Sequence, residues 1–143
     1  MIANDQGELF NGQRYARSLG VSGPTVARYL GIFQNLLLFR ILRPWHVNAS
    51  KRLLRSQRTY VRDAGLVNAL LGLNTVSDLR GHSVVGKSWE GFVIEFLIDA
   101  AGSFARAWFY RTAAGTEADL VLEFGANRIW AIEVKLSRTS TVD

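Results

Sequence analysis

The sequence has no cysteine, and its two histidines, His46 and His82, stand far apart. Disulfides and thiolate metal sites are therefore excluded, and two isolated imidazoles make no zinc cluster. Long apolar runs are missing too: none reaches the roughly 18 residues that a membrane-spanning helix needs. Residues 1–10 are polar and acidic, unlike a secretory leader, and a cytoplasmic protein is the expectation. Negative charge is scarce at the front. Residues 1–62 carry ten Lys and Arg side chains against two acidic ones, a balance of +8, whereas residues 63–143 carry seven against ten, a balance of −3. A basic front half suits a polyanionic partner, although basic surfaces also serve solubility alone. The acidic back half is where carboxylate chemistry is to be sought. What the chain has in plenty is apolar content. Of its 143 residues 48% are hydrophobic, enough to bury a core in one ordinary domain or two small ones.

Residues 11–30 read as helix, turn, helix. Tyr15, Ala16 and Leu19 share one helix face, and Gly20 stops the helix. Ser22 caps a second helix whose first turn holds Pro24, and Val26, Tyr29, Leu30 and Phe33 form its apolar stripe. The trio Ala16, Gly20 and Val26 suits a close helix crossing: a small residue, a tight-turn glycine and a β-branched packer. In such motifs the N-terminal residues of the second helix meet base edges in the DNA major groove. Here those are Ser22, Thr25 and Arg28. An apolar strand over 36–42, a polar loop with Lys51 and Arg52, and a second strand ending at Tyr60-Val61 then make a basic hairpin suited to phosphates. Residues 1–62 thus resemble a winged helix-turn-helix; such units also serve protein contacts alone.

Residues 81–88 fit the phosphate-loop pattern G-x-x-x-x-G-K-[ST] letter for letter. A true phosphate loop follows a buried strand, and residues 74–80 are mostly polar. The pattern is read as a decoy, with Ser88 as helix N-cap and Glu90 in the first turn. Nucleotide binding at Gly86, Lys87 and Ser88 is the weaker alternative.

In the acidic half, residues 63–73 form a helix striped by Leu66, Val67, Leu70 and Leu71. A second helix over 88–100 places Trp89, Phe92, Val93, Phe96 and Leu97 on its core face. Glu90 and Glu95 lie about 140° apart around that helix and cannot share one site. Strands over 105–112, 117–124 and 128–136 follow. The last two are joined by Gly125-Ala126-Asn127, with Asn127 able to take the left-handed position. If Phe124 pairs with Arg128, Asp119 lies opposite Glu133. Trp130, Ile132, Val134 and Leu136 then face the core, while Asp119, Glu133 and Lys135 share the other face. Opposed carboxylates repel unless a divalent cation lies between them, and Mg²⁺ suits such oxygens. A metal-bound water is a better nucleophile, and Lys135 could orient it. Lys135 bridging two surface carboxylates is the equal alternative.

The order helix Glu, Asp119, Glu133-Val134-Lys135 resembles the PD-(D/E)XK nuclease-like superfamily. The whole chain is more closely similar to the C-terminal region of a group of bacterial and archaeal AAA-type P-loop ATPases. There a winged helix-turn-helix precedes a nuclease-like domain of unknown function. The matching stretches are residues 16–30, 60–66, 85–92, 110–112, 117–119 and 133–135. The resemblance implies an α/β (α+β) fold: a winged helix-turn-helix over 1–62, then a restriction-endonuclease-like mixed sheet with flanking helices over 63–143. It also implies a site of Glu90 (Glu95 second), Asp119, Glu133 and Lys135, with Mg²⁺ held by Asp119 and Glu133. Ala118 stands where the superfamily name has Pro. The ATP-binding portion is absent, and the chain ends eight residues after Lys135, so an incomplete nuclease-like domain is expected. A second copy could cover the open sheet edge as a homodimer. Three functions follow: a DNA-binding or regulatory module that does not cut, a Mg²⁺-dependent DNA endonuclease, and nucleotide binding at 81–88.

Overall fold

The computed structural model describes residues 1–45, 57–112, 115–125 and 128–136. Lys51 and Arg52, expected on a polar loop, lie outside the described residues, as do His46 and Asn127.

Local chemistry sets the first two helices. Asn11 caps α1 (Gly12–Leu19) by accepting the Arg14 N–H at 3.0 Å. Gly20 ends the helix at φ +65°, a left-handed conformation that a side chain disfavours. Ser22 then accepts the Thr25 N–H at 3.2 Å and starts α2 (Gly23–Asn35), with Pro24 in the first turn. Tyr15, Ala16 and Val26 are buried together where the helices cross. Leu30 is buried and Phe33 packs beside it, but Tyr29 stays half exposed. The expected strand over 36–42 is shorter: residues 36–38 form a turn, with Leu37 at φ +59° and all three leucines exposed.

Strand β1 (Phe39–Leu42) pairs antiparallel with β2 (Arg58–Val61), Phe39 opposite Val61 and Leu42 opposite Arg58. The N-terminal segment runs along the other side of β2. Gly7 donates to Thr59 O, Phe10 donates to Gln57 O, and Gln6 brackets Val61 with two side-chain hydrogen bonds. All four β2 residues are buried as a result. Asp63 then caps α3 (Ala64–Leu71), which ends at left-handed Gly72. A Thr75–Asp78 capping box starts α4 (Val76–Gly81), a short helix in a mostly polar segment.

Helix α5 (Val85–Ala101) lies against an antiparallel meander of β3 (Arg106–Arg111), β4 (Glu117–Phe124) and β5 (Arg128–Ile132). The fold is α+β. The expected mixed sheet is antiparallel in its ladders, and its parallel element is one bridge between Pro44 and Phe109. There Trp45 donates to Phe109 O and Phe109 donates to Arg43 O, which joins the hairpin to β3.

Two hydrophobic clusters span both halves of the chain. Val61 and Phe39 meet Val67 and Val84 in one, and Leu42 and Tyr60 meet Ile94, Phe109 and Leu120 in the other. The hairpin belongs to both halves, because successive residues of β2, Tyr60 and Val61, point into different clusters.

Two expectations about burial change. Trp89, Phe92 and Phe96 are exposed; α5 instead buries Ser88, Glu90, Gly91, Ile94 and Glu95. Apolar periodicity marked the aromatic face, whereas the opposite face carries the carboxylates that meet arginines of the hairpin. Trp130 and Leu136 are exposed too, Trp130 lying over Phe124 at the rim of the sheet beyond α5. At the turn after β4, Gly125 is left-handed at φ +64°.

Candidate functional site

The sequence-predicted register holds: Phe124 pairs with Arg128 and Leu120 with Ile132. The expected β5 is shorter, however. It ends at Ile132, so residues 133–136 lie past the ladder. The Val134 N–H turns back to Asp119 Oδ2 at 3.0 Å. Glu133 and Lys135 pair with each other at 3.0 Å in solvent, 62% and 76% exposed.

A bulge aims Asp119. Trp108 pairs with Val121 and Tyr110 with Ala118, so β4 has Asp119 and Leu120 where β3 has only Phe109. Asp119 is buried, and its Oδ1 accepts from Arg58 Nη1 at 3.0 Å. The same nitrogen lies 3.8 Å from Glu90 Oε1, and Arg58 Nη2 donates to Glu117 Oε2 at 2.8 Å. Arg58 is 4% exposed, with its guanidinium over the Phe109 ring at 5.1 Å. Glu90 is buried and accepts the Tyr60 hydroxyl at 2.7 Å and Lys87 Nζ at 2.8 Å. Gly7 packs so near that a Cβ there would meet Glu90 Oε1 and Tyr60 Cε1 at 3.0 Å.

Two of the four residues expected at the site, Glu90 and Asp119, are therefore brought together, with Arg58 between them; Glu133 and Lys135 stand apart as a solvent pair. Sequence reasoning missed Arg58, Tyr60 and Gly7. A strand signal was available: Arg58 and Tyr60 are two apart and share a face.

Glu95 anchors a second cluster, as the helical angle required. It takes Arg40 in a two-pronged pair, at 2.6 and 2.9 Å, and Arg62 at 2.7 Å. Three arginines of the basic half, Arg40, Arg58 and Arg62, are thus matched by carboxylates of the acidic half.

Burial works against the charge of Arg58, but Tyr60, Asp119 and Glu90 outweigh it and hold the guanidinium pKa above its ordinary value. Burial, then the Glu90 carboxylate, pushes the Tyr60 phenol above its ordinary 10.0. A folded-state pKa raised in this way contributes stability that is complete below about pH 10 and is lost as pH rises further. Unfolding at alkaline pH is therefore expected to coincide with the appearance of tyrosinate absorbance. Tyr60→Phe is expected to flatten the fall of stability with pH. An unchanged slope in denaturant titrations would show that this phenol is not responsible.

The phosphate-loop pattern joins two helices. Gly81 ends α4, and Gly86, Lys87 and Ser88 lie in the opening turns of α5. No strand precedes them to build a phosphate cradle. Ser88 is not the N-cap: α5 begins three residues earlier, with Val84 at the N-cap position and no side-chain cap, and His82 Nδ1 accepts the Val84 N–H at 3.1 Å in the loop before it. Lys87 is turned toward Glu90.

On α2, Ser22 and Arg28 are exposed and Thr25 is half-buried. The Ser22 hydroxyl is shared with Thr25 Oγ1 at 2.8 Å, and the Arg28 guanidinium lies over the Tyr29 ring at 5.4 Å.

Among the described residues, no three His, Cys, Asp or Glu side chains stand together as a metal-binding group. Nor is any helix there long and apolar enough to cross a membrane.

Two family models share the chain between them. Residues 1–77, over half of it, match the domain of unknown function DUF8612, and the chain belongs to that family. Residues 85–143 match the domain of unknown function DUF4143, which occurs in C-terminal regions associated with AAA-type ATPases. The chain is 40% identical over 99% of its length to an uncharacterized protein of Mycobacterium bovis and, equally, to one of Mycobacterium tuberculosis. It spans 31% of the length of each of these relatives. No solved structure matches it.

Proposed function

We propose that the chain is a nucleic-acid-binding, regulatory C-terminal module of an AAA-type ATPase, with a nuclease-like domain that serves as a scaffold and does not cut. The observation that carries this reading is the tight crossing of α1 and α2 beside an antiparallel hairpin, with Ser22 and Arg28 exposed at the start of α2. DNA is the favoured partner, contacted by Ser22, Thr25 and Arg28, with Lys51 and Arg52 of the hairpin loop on phosphates. Arg28 suits this role because, among the described residues, it makes no ion pair. Phosphodiester cleavage has less support, since the oxygens of Glu90 and Asp119 already accept hydrogen bonds from the protein.

Fluorescence anisotropy with duplex DNA across a salt series tests the proposal. Affinity is expected to fall as salt rises. Arg28→Ala, at a base-edge position, is expected to weaken binding and relax sequence preference, whereas Lys51→Ala, which removes a phosphate contact, is expected to lower the salt slope by about 1. An absence of binding at low salt would remove the nucleic-acid reading.

A further inference from the structure

We infer that Arg58 is the resident cation of the Glu90–Asp119 carboxylate pair, and that this pair takes up no divalent metal. The nuclease resemblance implies Mg²⁺ on Asp119 and Glu133, in a site that also holds Glu90, and the residues present do not fit it. One guanidinium nitrogen lies 3.0 Å from Asp119 Oδ1 and 3.8 Å from Glu90 Oε1, so a cation already stands between the two buried carboxylates of that site. The other oxygens are engaged as well. Asp119 Oδ2 accepts the Val134 N–H, and Glu90 accepts from Tyr60 and Lys87. Mg²⁺ demands near-octahedral oxygens at about 2.0–2.1 Å and sheds water reluctantly, so it does not insert among ligands already satisfied. Glu133, the other carboxylate such a centre would need, is in solvent with Lys135.

Charge points the same way. Arg58, Lys87 and Arg111 balance Glu90, Glu117 and Asp119 in one connected cluster, so no net negative charge awaits a metal. Nor can the guanidinium swing aside. It sits on β2, whose next three residues are almost wholly buried, with Leu42 opposite on one side and Leu9 bridged on the other. A guanidinium has no open coordination position to activate water. The cluster is therefore a clasp that fastens the hairpin to α5 and β4.

Mn²⁺ titration of the intact chain, followed by the electron paramagnetic resonance of free Mn²⁺, tests the inference. The parent is expected to leave the free-ion signal unchanged through millimolar Mn²⁺, and Mg²⁺ is expected not to move its Tm. Arg58→Met, which frees the carboxylates, is expected to capture Mn²⁺ and to gain Tm with added metal. Binding by the parent that Asp119→Asn abolishes would overturn the inference. Binding that survives Asp119→Asn lies elsewhere and agrees with it. If Arg58→Met does not fold, the parent and Asp119→Asn decide alone. Duplex affinity is measured separately, so failure here leaves the DNA reading intact.

Discussion

Arg58→Ala is expected to destabilise the protein by about 3–5 kcal/mol, the scale seen when one partner of a buried ion pair is removed. The loss comes less from the missing attraction than from what is left behind. Asp119 and Glu90 stay buried on β4 and α5 with their guanidinium gone, and Phe109 loses the cation over its ring. Urea unfolding followed by circular dichroism measures the change as a lower midpoint. Adding Glu90→Gln and Asp119→Asn to an Arg58→Met background is expected to restore much of the loss, because the uncompensated charges disappear with the cation. If Arg58→Ala unfolds at the parent midpoint, the cluster does not hold the two halves together.

Ile94→Ala is expected to cost about 2–5 kcal/mol, the usual result of opening a cavity in a packed core. Ile94 is 0% exposed and lies among Leu42, Tyr60, Phe109 and Leu120. Phe96→Ala, two residues along the same helix, is expected to stay within about 0.5 kcal/mol of the parent. Phe96 removes a larger side chain but is 64% exposed. Thermal or urea unfolding of the two variants decides between the face of α5 marked by its aromatics and the face that the structure buries. A larger loss in Phe96→Ala would reverse the assignment.

Much of the fold was legible. Asn11, Gly20, Ser22 and Pro24 act within one turn of their own position, so α1 and α2 could be placed from neighbours alone. The bounds and register of β4 were equally readable, because alternation and a glycine at the turn decide them. Residues 133–136 were harder. Their alternation continues β5, but the Asp119 side chain takes the Val134 N–H and the ladder stops.

The candidate site divides along the same line. Glu90 and Asp119 could be picked out as carboxylates with a role, and the angle between Glu90 and Glu95 separated their clusters, because helix geometry is local. That Arg58 lies between Glu90 and Asp119 was not readable, since the contacts join residues 30 or more apart in the chain. The opposite charges of the two halves were visible at once. Three of the arginines in that balance turned out to bind inward. Pairing of an ion depends on which strand lies beside which helix, and composition carries no record of that. Secondary structure and the turns that join it follow from short-range sterics and capping. Which carboxylate meets a cation, and which aromatic face meets water, is decided only when the hairpin packs against α5 and the meander.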